Sequence, residues 1–162
     1  MILIVFLAAL FDLRSRRIPN WLTVSGAVLG LGLNWFLGET SGLVFGAKGL
    51  GFAMLVYLPL YMIRAMGAGD VKLMAAIGAI LGPMNWLGVF VLSALLGGPI
   101  ALITAMSRGR LGQSFRNVLA ILRDLAHFTP PYRRTAELDI HNPGAMTLPH
   151  GAIVALGVTA FL

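Results

Sequence analysis

Of the six acidic residues in the 162-residue chain, two, Asp12 and Asp70, fall within or at the edge of apolar stretches. An ionisable group there is costly and points to function by default. Two carboxyls brought together cannot both ionise cheaply, so they tend to share one proton. One then acts as a base toward water and the other as an acid toward a carbonyl, which is aspartyl peptidase chemistry. Taken singly, each has an ordinary structural reading: Asp70 as a helix cap, Asp12 as a juxtamembrane charge paired with Arg16. The other acids, Glu39, Asp124, Glu137 and Asp139, lie in polar turns and loops.

Other chemistries find little support. The absence of cysteine removes disulfides, thiolate metal sites and a cysteine nucleophile. His127, His141 and His150 show neither HExxH spacing nor carboxylates at ligand intervals, so no metal and no cofactor is expected. His150, beside Pro149 at the start of the last apolar segment, reads as structural or interfacial. No GxSxG elbow occurs for a serine nucleophile. The net charge of +6 raises nucleic-acid binding, but no aromatic-basic module accompanies it and the basic residues sort by membrane side, so no nucleic-acid partner is expected.

The two carboxylates must be positioned by the apolar segments around them. With 58% hydrophobic and 11% charged residues, the chain is too apolar for an ordinary soluble domain, and a lipid bilayer is its expected solvent. No strand-like alternation is present, so the expected fold is all-α: a polytopic membrane helical bundle forming a single domain over 1–162. Six apolar segments emerge, at about 1 to 13, 21 to 37, 43 to 63, 71 to 81, 86 to 106 and 147 to 162. Met1 to Phe11 lacks a basic n-region and a cleavage site, and reads as a retained first span.

Six spans make the first, third and fifth loops face one side. With their flanks these loops hold Arg14, Arg16, Arg17, Arg64, Lys72, Arg108, Arg110, Arg116, Arg123, Arg133 and Arg134, leaving only Lys48 on the other half. The positive-inside rule therefore places both termini outside. Asp12 then ends a span running inward and Asp70 begins one running outward, so both lie at the same depth. The segment from Val71 to Leu81 would rise only about 17 Å as a helix, which sets Asp70 below the headgroups.

The polar stretch 107–146 is a cytoplasmic loop. Within it Phe115, Val118, Leu119, Leu122 and Leu125 recur at helical spacing opposite Arg116, Arg123 and His127, as expected of an amphipathic helix on an anionic membrane surface. Thr129 to Pro143 reads as an extended linker. Gly67 and Gly69, ahead of Asp70, permit close backbone approach, with room for a substrate strand. Lys72 either pairs with Asp70 or reaches lipid phosphate. Pro19 stiffens the turn after the first span, and Asn20 is placed to cap the second.

Two blocks, Phe11-Asp12-Leu13-Arg14-Ser15-Arg16-Arg17-Ile18-Pro19-Asn20-Trp21-Leu22-Thr23 and Gly67-Ala68-Gly69-Asp70-Val71-Lys72-Leu73-Met74-Ala75, together resemble the GxGD aspartyl prepilin peptidases. The likeness is to the short form associated with tight-adherence (Flp-type) pili. The resemblance carries the family's catalytic aspartates onto Asp12 and Asp70 and its motif glycines onto Gly67 and Gly69. Ile18-Pro19-Asn20 matches the segment after the first aspartate. It implies a multi-pass protein of the bacterial inner membrane. That protein would remove the short leader of a prepilin or pseudopilin at the cytoplasmic face, just ahead of the substrate's apolar helix, with pilus or secretion machinery as further partners. Gly26, Gly30 and Gly32 would allow close helix approach, to the substrate or within the bundle. The chain departs from the larger bifunctional prepilin peptidases in lacking an added N-terminal cytoplasmic region and its cysteines, so the resemblance does not carry zinc binding or N-methylation onto it, and methylation by a separate enzyme stays open.

The alternative is a non-enzymatic carrier in which Asp12 and Asp70 relay protons or bind a cation; an inert scaffold is a third reading. A role assignment also follows from helix ends. Asp70 opens a helix, where the macrodipole favours charge, and Asp12 closes one, which makes Asp70 the ionised partner, although Arg14, Arg16 and Arg17 act against that asymmetry. A site-resolved titration in which Asp12 loses its proton first would overturn this assignment.

Overall fold

The computed structural model describes residues 1–63, 66–126 and 149–162. All regular structure among them is helical: α1 (Ile2–Ser15), α2 (Asn20–Met62), α3 (Ala68–Ser107), α4 (Leu111–Ala126) and α5 (His150–Phe161). Arg64, His127, Arg133, Arg134, Glu137, Asp139, His141 and the linker Thr129 to Pro143 lie outside the described residues.

Each long helix is two arms joined at a break. In α2 the helical dihedrals fail at Gly38 and Glu39, the latter at φ 50°. The chain reverses there, since Gly42 comes back against the Asn34 carbonyl. In α3 the break is Gly82, whose φ of 73° suits a residue without Cβ and which lies against the Phe45 ring. Reversal at Gly82 lets the Trp86 indole N–H donate to the Met74 carbonyl at 3.0 Å, a contact that a straight helix forbids over twelve residues. The gaps 38–42 and 82–85 between the expected apolar segments thus shrink to one or two non-helical residues, and helix extends to within a residue of each break.

Polar and small residues lock the two hairpins together. The Asn34 side-chain amide donates to the carbonyls of Gly30, Ala79 and Ile80, spanning both helices near their breaks. Gly49 and Gly78 approach so closely that a Cβ on either would strike the other's carbonyl. This is helix contact through small residues, the mode expected where lipid supplies no hydrophobic drive between helices. Gly26 meets Ala76 and Ile4, and Gly30 meets Ala79 and Ile80, whereas Gly32 faces open space. Of the three glycines, two serve the bundle's own packing.

Large side chains divide by solvent in the sense a bilayer demands. Trp86, Tyr57, Leu73, Met74 and Ile77 are buried, while Phe36, Leu37, Leu3, Phe6 and Val28 face outward. α2 and α3 are each long and apolar enough to cross a membrane. They form the main body; α5 lies against α3, and α1 lies chiefly on α5. α4 forms as expected, with Phe115, Val118 and Leu119 exposed.

Asn20 does not cap α2 with its side chain. Pro19 occupies the cap position, no side-chain cap bond is made, and the Asn20 carboxamide oxygen instead accepts a 2.9 Å bond from Lys72 Nζ.

A substitution series checks the packing. Gly49→Ala is expected to lower unfolding stability in detergent by roughly 1–3 kcal/mol through overpacking against Gly78. Gly32→Ala, with nothing nearby, should leave it unchanged or raise it by about 0.5–1 kcal/mol through helix propensity. Equal effects at the two positions would contradict the close contact.

Candidate active site

Asp12 sits in the last turn of α1, buried at 7% relative exposure. Arg16 ends that helix in the left-handed conformation at φ 53°, with its N–H donating to the Asp12 carbonyl at 3.0 Å. Ser15 Oγ bridges the carbonyls of Phe11 and Arg17, and the Phe11 and Trp21 rings meet edge to face at 6.3 Å. The connection from α1 to α2 is therefore short and tied on both sides, which fixes where Asp12 can lie relative to α2.

Asp70 is the third residue of α3, after the cap residue Gly67. The backbone N–H of Gly67 faces its carboxyl, the reciprocal geometry of a capping box. Asp70 and Val71 N–H groups both donate to the Gly67 carbonyl. A Cβ on Gly67 would lie 3.3 Å from Asp70 Oδ2. A Cβ on Gly69 would lie 3.2 Å from Ile18 Cβ, so Gly69 faces Ile18 and not an open channel for a substrate strand. Ile18 is itself buried. One segment of the first block thus seats the GxGD turn of the second.

Asp12 and Asp70 lie within electrostatic reach of each other. Lys72 is exposed, and its ammonium donates to the Asn20 carboxamide oxygen at 2.9 Å. That bond joins the start of α2 to the start of α3, a further tie between the two sequence blocks. Pro19 lies between Ile18 and Asn20 as the cap residue of α2.

Three neighbours of the aspartates were not anticipated from the sequence. The Gly151 N–H, in the first turn of α5, donates to Asp12 Oδ2 at 2.8 Å. The helix-end asymmetry between the aspartates is thereby offset: Asp12 ends its own helix but faces the amino end of another. Beside Gly151, the His150 ring lies against Tyr57, with centroids 6.0 Å apart and Nε2 3.5 Å from the Tyr57 hydroxyl. The Tyr57 hydroxyl is also within electrostatic reach of Asp70, and His150 of Asp12. His150, expected as structural or interfacial, thus packs on Tyr57 next to the residue that meets Asp12. The only hint in sequence was a histidine opening an apolar segment. Tyr57, inside a long apolar run, carried none.

A helical bundle with large apolar side chains facing outward and two helices long and apolar enough to cross a bilayer fits a membrane protein. A model of the type IV leader peptidase family matches residues 1–102, and the chain belongs to that family. The chain is also 31% identical over 115 residues to the prepilin leader peptidase/N-methyltransferase of Myxococcus xanthus (strain DK1622), a match covering 67% of this chain and 34% of the relative. The chain thus spans about a third of that relative's length. No solved structure matches significantly.

Gly151→Ala tests the contact with Asp12. A Cβ there would lie 3.1 Å from both Asp12 Cβ and Oδ2, tighter than ordinary contact. The variant is expected to lower the thermal unfolding midpoint in detergent, whereas Gly112→Ala, at a position with open surroundings, should not. A Gly151→Ala midpoint equal to wild type would remove the contact from the account.

Proposed function

We propose that this chain is a membrane aspartyl endopeptidase that removes the short leader of prepilin or pseudopilin substrates. The observation that carries the reading is that Asp12 and Asp70, on two different helices, lie within electrostatic reach of each other in a member of the leader peptidase family. One carboxylate takes a proton from water, and the resulting hydroxide attacks the scissile carbonyl. The other, protonated, donates to the carbonyl oxygen as it becomes negative. Collapse of the tetrahedral intermediate breaks the C–N bond, and the leaving amine takes up a proton from the dyad. No metal or cofactor is needed for these steps.

The proposed topology has six spans and both termini outside, with the whole chain forming one membrane-embedded unit in the bacterial inner membrane and 107–146 on the cytoplasmic side. The two breaks at Gly38 and Gly82 support it, because each divides a long helix into an outgoing and a returning arm. The arms meeting the dyad are short: 68–81 would rise about 21 Å, and α5 about 18 Å, less than the hydrocarbon thickness. The site is thereby drawn below the headgroups on the cytoplasmic side, where the junction between a substrate's polar leader and apolar helix would lie. Family membership weighs against the carrier alternative.

Two experiments test this. Co-expression with a tagged prepilin-like substrate should show leader removal by wild type and its loss, by at least about a hundredfold, in Asp12→Asn and Asp70→Asn at equal membrane abundance. Cleavage retained in either variant rejects the dyad mechanism. For topology, the native chain has no cysteine, so single reporters are unambiguous. Ser41→Cys should react with an impermeant maleimide from the outer side and Gly112→Cys only after the membrane is opened; the reverse pattern would invert the proposed orientation.

A further inference from the structure

The Asp12 carboxyl is oriented by the Gly151 N–H, so its direction depends on what holds the amino end of α5. Pro149 occupies the cap position and makes no side-chain cap bond there. His150, the first helical residue, makes the lateral contact: its ring lies on Tyr57, with Nε2 3.5 Å from the hydroxyl, at the long limit of a hydrogen bond.

Tyr57 is a firm anchor. It is 1% exposed and meets Trp86 and Phe90 edge on at 6.0 and 5.9 Å. Trp86 stacks on Phe90 at 5.5 Å and is pinned by its indole N–H to the Met74 carbonyl. The ring alone would satisfy this aromatic cluster. A buried phenol hydroxyl needs a partner, and here it is directed to His150.

We propose that Tyr57 and His150 act together as a positioning pair, transmitting the rigidity of the aromatic core to the amino end of α5 so that Gly151 holds the Asp12 carboxyl in register with Asp70. The proposal rests on the peptidase reading for its consequence in catalysis. Four helices then contribute one member each: Asp12 from α1, Tyr57 from α2, Asp70 from α3 and His150 from α5. Loss of the Tyr57–His150 contact frees α5 to shift, and small displacements of a reacting group are costly in rate.

The test uses the full chain in membranes with a prepilin-like substrate. Tyr57→Phe keeps the ring and its packing and removes only the hydroxyl; His150→Ala removes the partner, and His150→Gln returns a nitrogen near the imidazole Nε2. Tyr57→Phe and His150→Ala are each expected to lower kcat by roughly ten- to a hundredfold, with KM within about twofold of wild type. His150→Gln should recover part of the loss. The double variant Tyr57→Phe/His150→Ala should be no slower than the slower single variant, because one contact is broken in each case. An unchanged kcat in Tyr57→Phe, or losses that multiply in the double variant, would overturn the pair.

A readout without substrate separates this inference from the function it serves. In the full chain in nanodiscs, the infrared carboxyl band of Asp12, isolated by subtracting the Asp12→Asn spectrum, should shift in Tyr57→Phe. If wild type cleaves no prepilin, the peptidase reading fails while a shifted band still supports the positioning pair; an unshifted band overturns the pair whatever the cleavage result.

Discussion

A carboxylate inside a helical membrane bundle must receive its hydrogen bonds from protein, because hydrocarbon supplies none and helical backbone has already spent its donors internally. The exception is the first turn of a helix, where amide N–H groups have no intrahelical partner. Both aspartates are solved in this way. Asp70 sits in the first turn of its own helix facing Gly67 N–H, and Asp12 accepts from Gly151 N–H in the first turn of α5. Much of the architecture follows from bringing two helix amino ends and one helix carboxyl end to the same level.

That requirement explains why the elements meeting at the site are short or broken. The carboxyl end of α1 meets the amino end of α5 through Asp12 and Gly151, and the first arm of α3 begins beside Asp70. Gly82 turns the chain back so that Trp86 reaches Met74, and Trp86 in turn braces Tyr57. At the opposite end of the same arm, Ile18 fills the space that Gly69 leaves. The GxGD turn is therefore held from both ends, by the first loop and by the aromatic core. Lys72 and Asn20 close the same junction with one polar bond.

The glycines illustrate how one residue type serves different ends. Gly82 is needed for its positive φ, and Gly49 and Gly78 for backbone contact between helices. Gly69 is needed because a side chain would meet Ile18, not because its dihedrals are unusual. The motif glycines thus contribute mainly closeness, which is what placing a carboxylate against another helix demands.

Sequence by itself determined the helical class, the apolar segments, the two conspicuous acids Asp12 and Asp70 and the helix α4. These follow from composition, periodicity and charge sidedness, which are local properties that lipid enforces on any chain. The two blocks carrying the aspartates were legible for the same reason: an acid in an apolar run is conspicuous. Only the tertiary structure decided that Gly69 seats Ile18, that Asn20 serves Lys72 instead of capping α2, and that Gly151, His150 and Tyr57 complete the surroundings of the dyad. Those contacts join residues about 50 to 140 positions apart, and a backbone N–H or a tyrosine in an apolar run has no signature until helix packing chooses its neighbour.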